Sequence, residues 1–97
     1  MTTMDLTTMY SFDELTNEAE RLVIEELGRQ LAEVDGAGCR GEDCVLDMAA
    51  YALNHVRPMY RVNLMGRLYA DTLVEQYGEE IRSAVTEAIQ KISPDYR

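Results

Sequence analysis

Apolar residues recur every three or four positions along two long stretches of this chain, a period that commits both stretches to helices rather than strands. Phe12, Leu15, Ala19, Leu22, Val23, Leu27, Leu31 and Val34 form one stripe, and Val74, Tyr77, Ile81, Ala84, Val85, Ala88, Ile89 and Ile92 form another. Between them, at about 100° per residue, Val45, Leu46, Ala49, Ala50, Ala52, Leu53 and Val56 cover one broad face of a third helix. Each stripe needs the others to cover it. The expected fold is therefore all-α, a small single domain of three main helices.

Local signals set the expected boundaries. Ser11-Phe12-Asp13-Glu14 has the spacing of a capping box, so the first helix should start there and run to about Asp35, with Gly36-Ala37-Gly38 ending it. Asp43 is placed to cap the second helix, which should stop near Val56 because Arg57 precedes Pro58. The third should run from residue 68–71 to 92 and end at Ser93-Pro94. Its register continues through Gly78, which costs about 1 kcal/mol relative to alanine and suggests a bend or close packing. Tyr60-Arg61-Val62-Asn63-Leu64 alternates apolar and polar residues, as a short extended piece would, with no obvious partner strand in the same chain. A second copy could supply one, and the shallow core of so short a chain also favours a homodimer. Residues 1–10 lack a sustained period and read as a mobile N-terminal arm, leaving 11–97 as the single domain.

The charge balance excludes whole classes of function. Nine basic against eighteen acidic residues give −9, the wrong sign for a clamp that neutralises duplex phosphates, so DNA is not an expected partner. The charge is uneven, however: residues 1–35 sum to −7 and 68–97 to −3, whereas 36–67 sum to +1 through Arg40, Arg57, Arg61 and Arg67. Anions are repelled least in the middle of the chain. No apolar run approaches the roughly 20 residues that span a bilayer, and Met1–Tyr10 lacks the pattern of a signal peptide. A cytoplasmic protein without membrane attachment is expected, with Cys39 and Cys44 as reduced thiols.

Catalytic and metal motifs are weak. Gly36-Ala37-Gly38-Cys39-Arg40-Gly41 fits G-x-G-x-x-G literally, but an acidic helix precedes it instead of a strand, so the glycines read as a loop between helices. Cys39 and Cys44 could be two ligands of a metal, yet His55, the single histidine, would lie roughly 16 Å from Cys44 along a helix. One chain cannot close such a site. There is no Ser/His/Asp order, HExxH or Walker loop, so neither a catalytic residue, a metal ligand nor a cofactor is assigned.

The most informative stretch runs from Cys44 to Tyr60, with Gly66 beyond it. Its pattern, Asp47-x-x-Ala50-Tyr51-Ala52-Leu53-Asn54-x-Val56-x-Pro58-x-Tyr60, resembles the signature of the ComFB (late competence development) family. Asn17, Glu20 and Val23 resemble that family's opening, so the similarity covers about residues 17–90. The resemblance implies a small helical homodimer. It also implies a bacterial signalling role, since some members bind a cysteine-held zinc and others are receptors for cyclic dinucleotides tied to motility and competence. This chain has fewer cysteines than the zinc-binding members, and Arg57 stands where many members carry a second proline.

The residues themselves supply a chemical reason for such a ligand. Asp47, Tyr51 and Asn54 fall on one helix face, and Pro58 fixes the direction in which Tyr60 and Arg61 leave. A bis-guanine ligand needs arginine for O6 and N7, a carboxylate or amide for N1 and N2, and a planar group for stacking. Asp47, Tyr51, Asn54, Arg57, Tyr60 and Arg61 are the expected ligand-binding set. The reading is a non-enzymatic cyclic dinucleotide receptor of the cyclic di-GMP type, with a downstream protein partner. The alternatives are a dimerisation or adaptor module without ligand, and a cysteine-based metal or redox module.

Overall fold

The computed structural model describes residues 3–33, 41–62 and 70–93. In chain order these form α1 (Leu6–Met9), a single 3-10 turn (Phe12–Glu14), β1 (Thr16–Asn17), α2 (Glu18–Glu33), α3 (Glu42–Leu53), β2 (Tyr60–Arg61) and α4 (Ala70–Ile92). The mainly helical class is as expected, with α2, α3 and α4 packed pairwise around one core. Val34, the Gly36–Arg40 loop with Cys39, the Asn63–Leu64 end of the extended piece, Gly66, Arg67 and Pro94 lie outside the described residues.

The first long helix, α2, starts later than the capping signal at Ser11 suggested, and a short helix, α1, lies within the residues expected as a mobile arm. Ser11 precedes only a 3-10 turn and makes no side-chain cap, while Phe12 and Leu15 are exposed. Asn17 instead accepts the amide of Ala19 at 3.1 Å, satisfying a free donor of the first turn of α2. Ala19, Leu22, Val23, Leu27 and Leu31 are then buried, as the stripe required. Arg21 bridges the buried Glu18 and the exposed Glu25, and Arg29 bridges Glu26 and Glu33, so the acidic excess of α2 is partly offset within the helix.

In α3 the buried stripe is rotated from the expected one. Cys44, Met48 and Ala52 face the core, with Val45, Ala49, Tyr51 and Leu53 packed beside them, whereas Leu46 is 59% exposed. The helix is capped by Gly41 and ends at Leu53, earlier than Val56, with Asn54 as its C-cap. Cys44 is disulfide-bonded, which corrects the expectation of reduced thiols.

The long α4 runs unbroken through Gly78, burying Ile81, Ala84, Val85 and Ala88. A methyl group on Gly78 would meet nothing within 4 Å, so close packing is not what this glycine serves. It lines a groove of about 230 Å³ together with Leu22, Val74 and Ile81 and the charged Glu25, Glu26 and Arg29.

The extended piece does have a partner within the chain. β2 pairs antiparallel with β1, Thr16 opposite Arg61 and Asn17 opposite Tyr60, which overturns the expectation of an unpaired strand. Two-residue strands are too short for a period-two pattern to announce them. Among the described residues, no helix is long and apolar enough to cross a membrane.

Candidate functional site

The segment leaving α3 is fixed by the start of α2. Asn17 Oδ1, which already caps α2, also accepts the Met59 amide at 2.7 Å, and the Glu18 amide donates to the Met59 carbonyl at 2.8 Å. Met59 is buried between these bonds, while its neighbour Tyr60 is 64% exposed because successive side chains of an extended chain point to opposite faces. Proline at 58 costs no bond here, since the donors that hold the segment are those of Met59 and Glu18.

Arg61 closes the same junction from its other side. Its Nε donates to Glu18, whose side chain is only 4% exposed and also accepts from Arg21 Nε at 3.0 Å. Burial alone would push the Glu18 carboxyl upward, but the hydrogen bonds from Arg61 and Arg21 outweigh it and hold the group below the ordinary carboxylate range. A buried carboxylate between two guanidiniums is a structural clasp, and Arg61 belongs to it. Arg61→Ala is therefore no clean test of ligand binding, because it removes one of the two partners of a buried charge.

Arg57 lies on the α4 side. Its Nε and Nη2 donate to the two carboxylate oxygens of Glu80 at 3.2 and 3.0 Å, and its backbone amide donates to Glu80 Oε2 at 3.2 Å. The guanidinium carbon stands 4.4 Å above the Tyr77 ring centre, and the side chain remains 54% exposed. Hydrogen bonds from Arg57 keep the Glu80 carboxyl below its usual range. Planar cation, aromatic face and bidentate acceptor are thus assembled in one place.

Asp47 and Tyr51 lie one turn apart within α3, whereas Asn54, expected on the same helix face, is the C-cap just beyond its last residue. Asp47 and Asn54 are exposed and Tyr51 is half-buried. Tyr51 stacks on His55 with ring centres 4.2 Å apart and planes at 17°, and desolvation followed by the Glu87 carboxylate raises its hydroxyl pKa. His55 Nδ1 lies 2.7 Å from the Tyr51 carbonyl and must donate to it, so its proton is on that nitrogen.

Three of the six expected residues meet carboxylates of neighbouring helices, and Asp47, Asn54 and Tyr60 are exposed. Tyr51 and Arg57 face carboxylates of α4, while Arg61 faces α2 and Tyr60 points to solvent. Sequence reasoning missed Glu18, Tyr77, Glu80 and Glu87, whose roles depend on partners far away in the chain. Only Asn17 carried a signal, through the opening pattern it shares with the family. Among the described residues no group of three or more His, Cys, Asp or Glu could hold a metal ion, and a disulfide-bonded Cys44 is not a thiolate donor.

Three helices around one core, with a proline-directed segment stitched to the start of α2, define a small helical domain whose polar chemistry gathers after α3. The chain belongs to the ComFB family: the profile described as late competence development protein ComFB matches residues 16–95. The structure is similar to that reported under "Structural characterization of the late competence protein ComFB from Bacillus subtilis", with a TM-score of 0.70 and 22% identity. That likeness covers 86% of this chain and 94% of the other, and it speaks for the fold. Comparison with curated proteins gives no match.

Proposed function

We propose that this ComFB-family chain is a non-enzymatic bacterial signalling domain that binds a cyclic dinucleotide of the cyclic di-GMP type on the segment leaving α3, and so acts in competence or motility through a downstream protein. Arg57 carries the reading. Its half-exposed guanidinium is stacked on Tyr77 and already aligned for bidentate contact with an oxyanion, the arrangement that suits a phosphate or the Hoogsteen edge of guanine. Exposed Tyr60 offers a stacking surface, and Asp47 and Asn54 offer acceptors for guanine N–H groups.

Calorimetric titration of the chelator-treated protein with cyclic di-GMP, cyclic di-AMP and cyclic AMP tests this. Saturable heat with a cyclic dinucleotide is the expected result. Silence with every nucleotide would remove the receptor reading and leave the adaptor module, which the exposed Met4, Leu6, Met9, Tyr10 and Phe12 favour as a protein-binding edge.

The receptor is proposed to act as a homodimer. The extended segment already pairs with β1 and needs no second copy, whereas the radius of gyration, 16.2 Å, exceeds the about 12.5 Å of a compact domain of this length. A second copy can cover the apolar residues that the N-terminal arm leaves in water. Light scattering at micromolar concentration should give a particle of twice 11.0 kDa, and a monomer mass would contradict the dimer.

A further inference from the structure

We infer that Glu80 is a built-in competitor for Arg57, an intramolecular carboxylate that occupies the arginine fork until an incoming anion displaces it. The inference rests on the cyclic dinucleotide reading and adds to it the residue that sets the affinity threshold. Three donors converge on this one carboxylate: Arg57 Nε, Arg57 Nη2 and the Arg57 backbone amide, at 3.0–3.2 Å. A planar fork joined by a backbone N–H is also how proteins hold phosphate oxygens, so Glu80 fills the positions that a ligand oxyanion would take.

The contact is built to exchange. Glu80 and Arg57 are 32% and 54% exposed, and an ion pair at that level of exposure is weak enough for a multivalent anion to replace. The Glu18–Arg61 pair differs on this point, with its carboxylate 4% exposed and shared by two arginines, so it is unsuited to opening. Tyr77 would keep the guanidinium plane oriented after Glu80 leaves, because the stacking contact does not involve the carboxylate. Ligand binding then costs the rupture of one partly exposed pair, and the remaining geometry is already in place.

Binding of cyclic di-GMP to the parent, Glu80→Gln and Glu80→Asp chains, each verified as helical by circular dichroism, provides the test. Glu80→Gln removes the competing charge, and Glu80→Asp keeps the net charge while withdrawing the carboxylate from the fork. Both should bind about two- to fivefold more tightly than the parent, the upper scale of a partly exposed ion pair. Glu79→Gln, which removes the same charge from the neighbouring Glu79–Arg82 pair, should have less effect, and Glu80→Gln should give no gain in an Arg57→Ala background. Unchanged or weaker binding by both Glu80 variants, when the parent binds, would overturn the competitor and leave the receptor reading standing. An equal gain from Glu79→Gln, or a gain that persists without Arg57, would also overturn it by showing that only overall charge matters. If none of the folded chains binds, the receptor reading fails and the competitor falls with it.

Discussion

Asn17→Ala will lower the unfolding free energy by about 2–4 kcal/mol, the combined scale of a lost helix cap and a buried amide left without an acceptor. One side-chain oxygen accepts both the Ala19 amide at the start of α2 and the Met59 amide of the segment after α3. Met59 is only 8% exposed, so water cannot readily replace the lost bond. Asn17→Asp keeps an acceptor at the same reach and suits a helix N-terminus, so it should remain within about 1 kcal/mol of the parent. Urea unfolding monitored by helical circular dichroism measures both. An alanine variant as stable as the parent would mean that the pairing of β1 with β2 fixes the segment without Asn17.

Met48→Ala should be at least as damaging, at about 2–5 kcal/mol, because it opens a cavity where α3 meets the core. Met48 is fully buried, with Val23, Val85 and Cys44 among the other large side chains removed from solvent. For a domain of this size that loss lowers the thermal midpoint by more than roughly 10 °C. Leu46→Ala is the informative contrast, because Leu46 is 59% exposed and its truncation should stay within about 0.5 kcal/mol. Equal losses at 46 and 48 would place the buried face of α3 where hydrophobicity alone suggested it.

That contrast shows what the sequence could and could not convey. A 3.6-residue period located α2 and α4 and carried α4 through Gly78, because each helix has one dominant apolar side and few exceptions to it. In α3 apolar residues occupy several sides, so the period does not settle which side is buried, and the stripe centred on Met48 was obscured by Leu46. The shift of the α2 start from Ser11 to Asn17 has a similar origin. A capping box is a local signal, while Asn17 is chosen by a hydrogen bond to Met59, 42 positions away.

The candidate site was legible to the same extent. Asp47 and Tyr51 fall one turn apart in α3, since helix geometry is local, while Asn54 falls at the C-cap because the helix ends three residues earlier than Val56. The arginines did not disclose their surroundings: Arg57 meets Glu80 across 23 positions and Arg61 meets Glu18 across 43. A basic middle segment in an acidic chain is consistent with anion binding, but it equally supplies the cations that clasp α2 and α4. The two arginines separate along that line, Arg61 by its buried partner as a structural element and Arg57 by its exposure as the group available to a ligand.

Arg57→Ala is therefore the most direct measurement. It removes an exposed fork while leaving the buried clasp of Glu18, Arg21 and Arg61 intact. Calorimetric titration of this variant and its parent with cyclic di-GMP, at equal helical content, should show binding weakened by about tenfold or more, the scale of a lost bidentate contact. An Arg57→Ala chain that binds as tightly as a binding-competent parent would contradict the account and move the ligand away from the segment that follows α3.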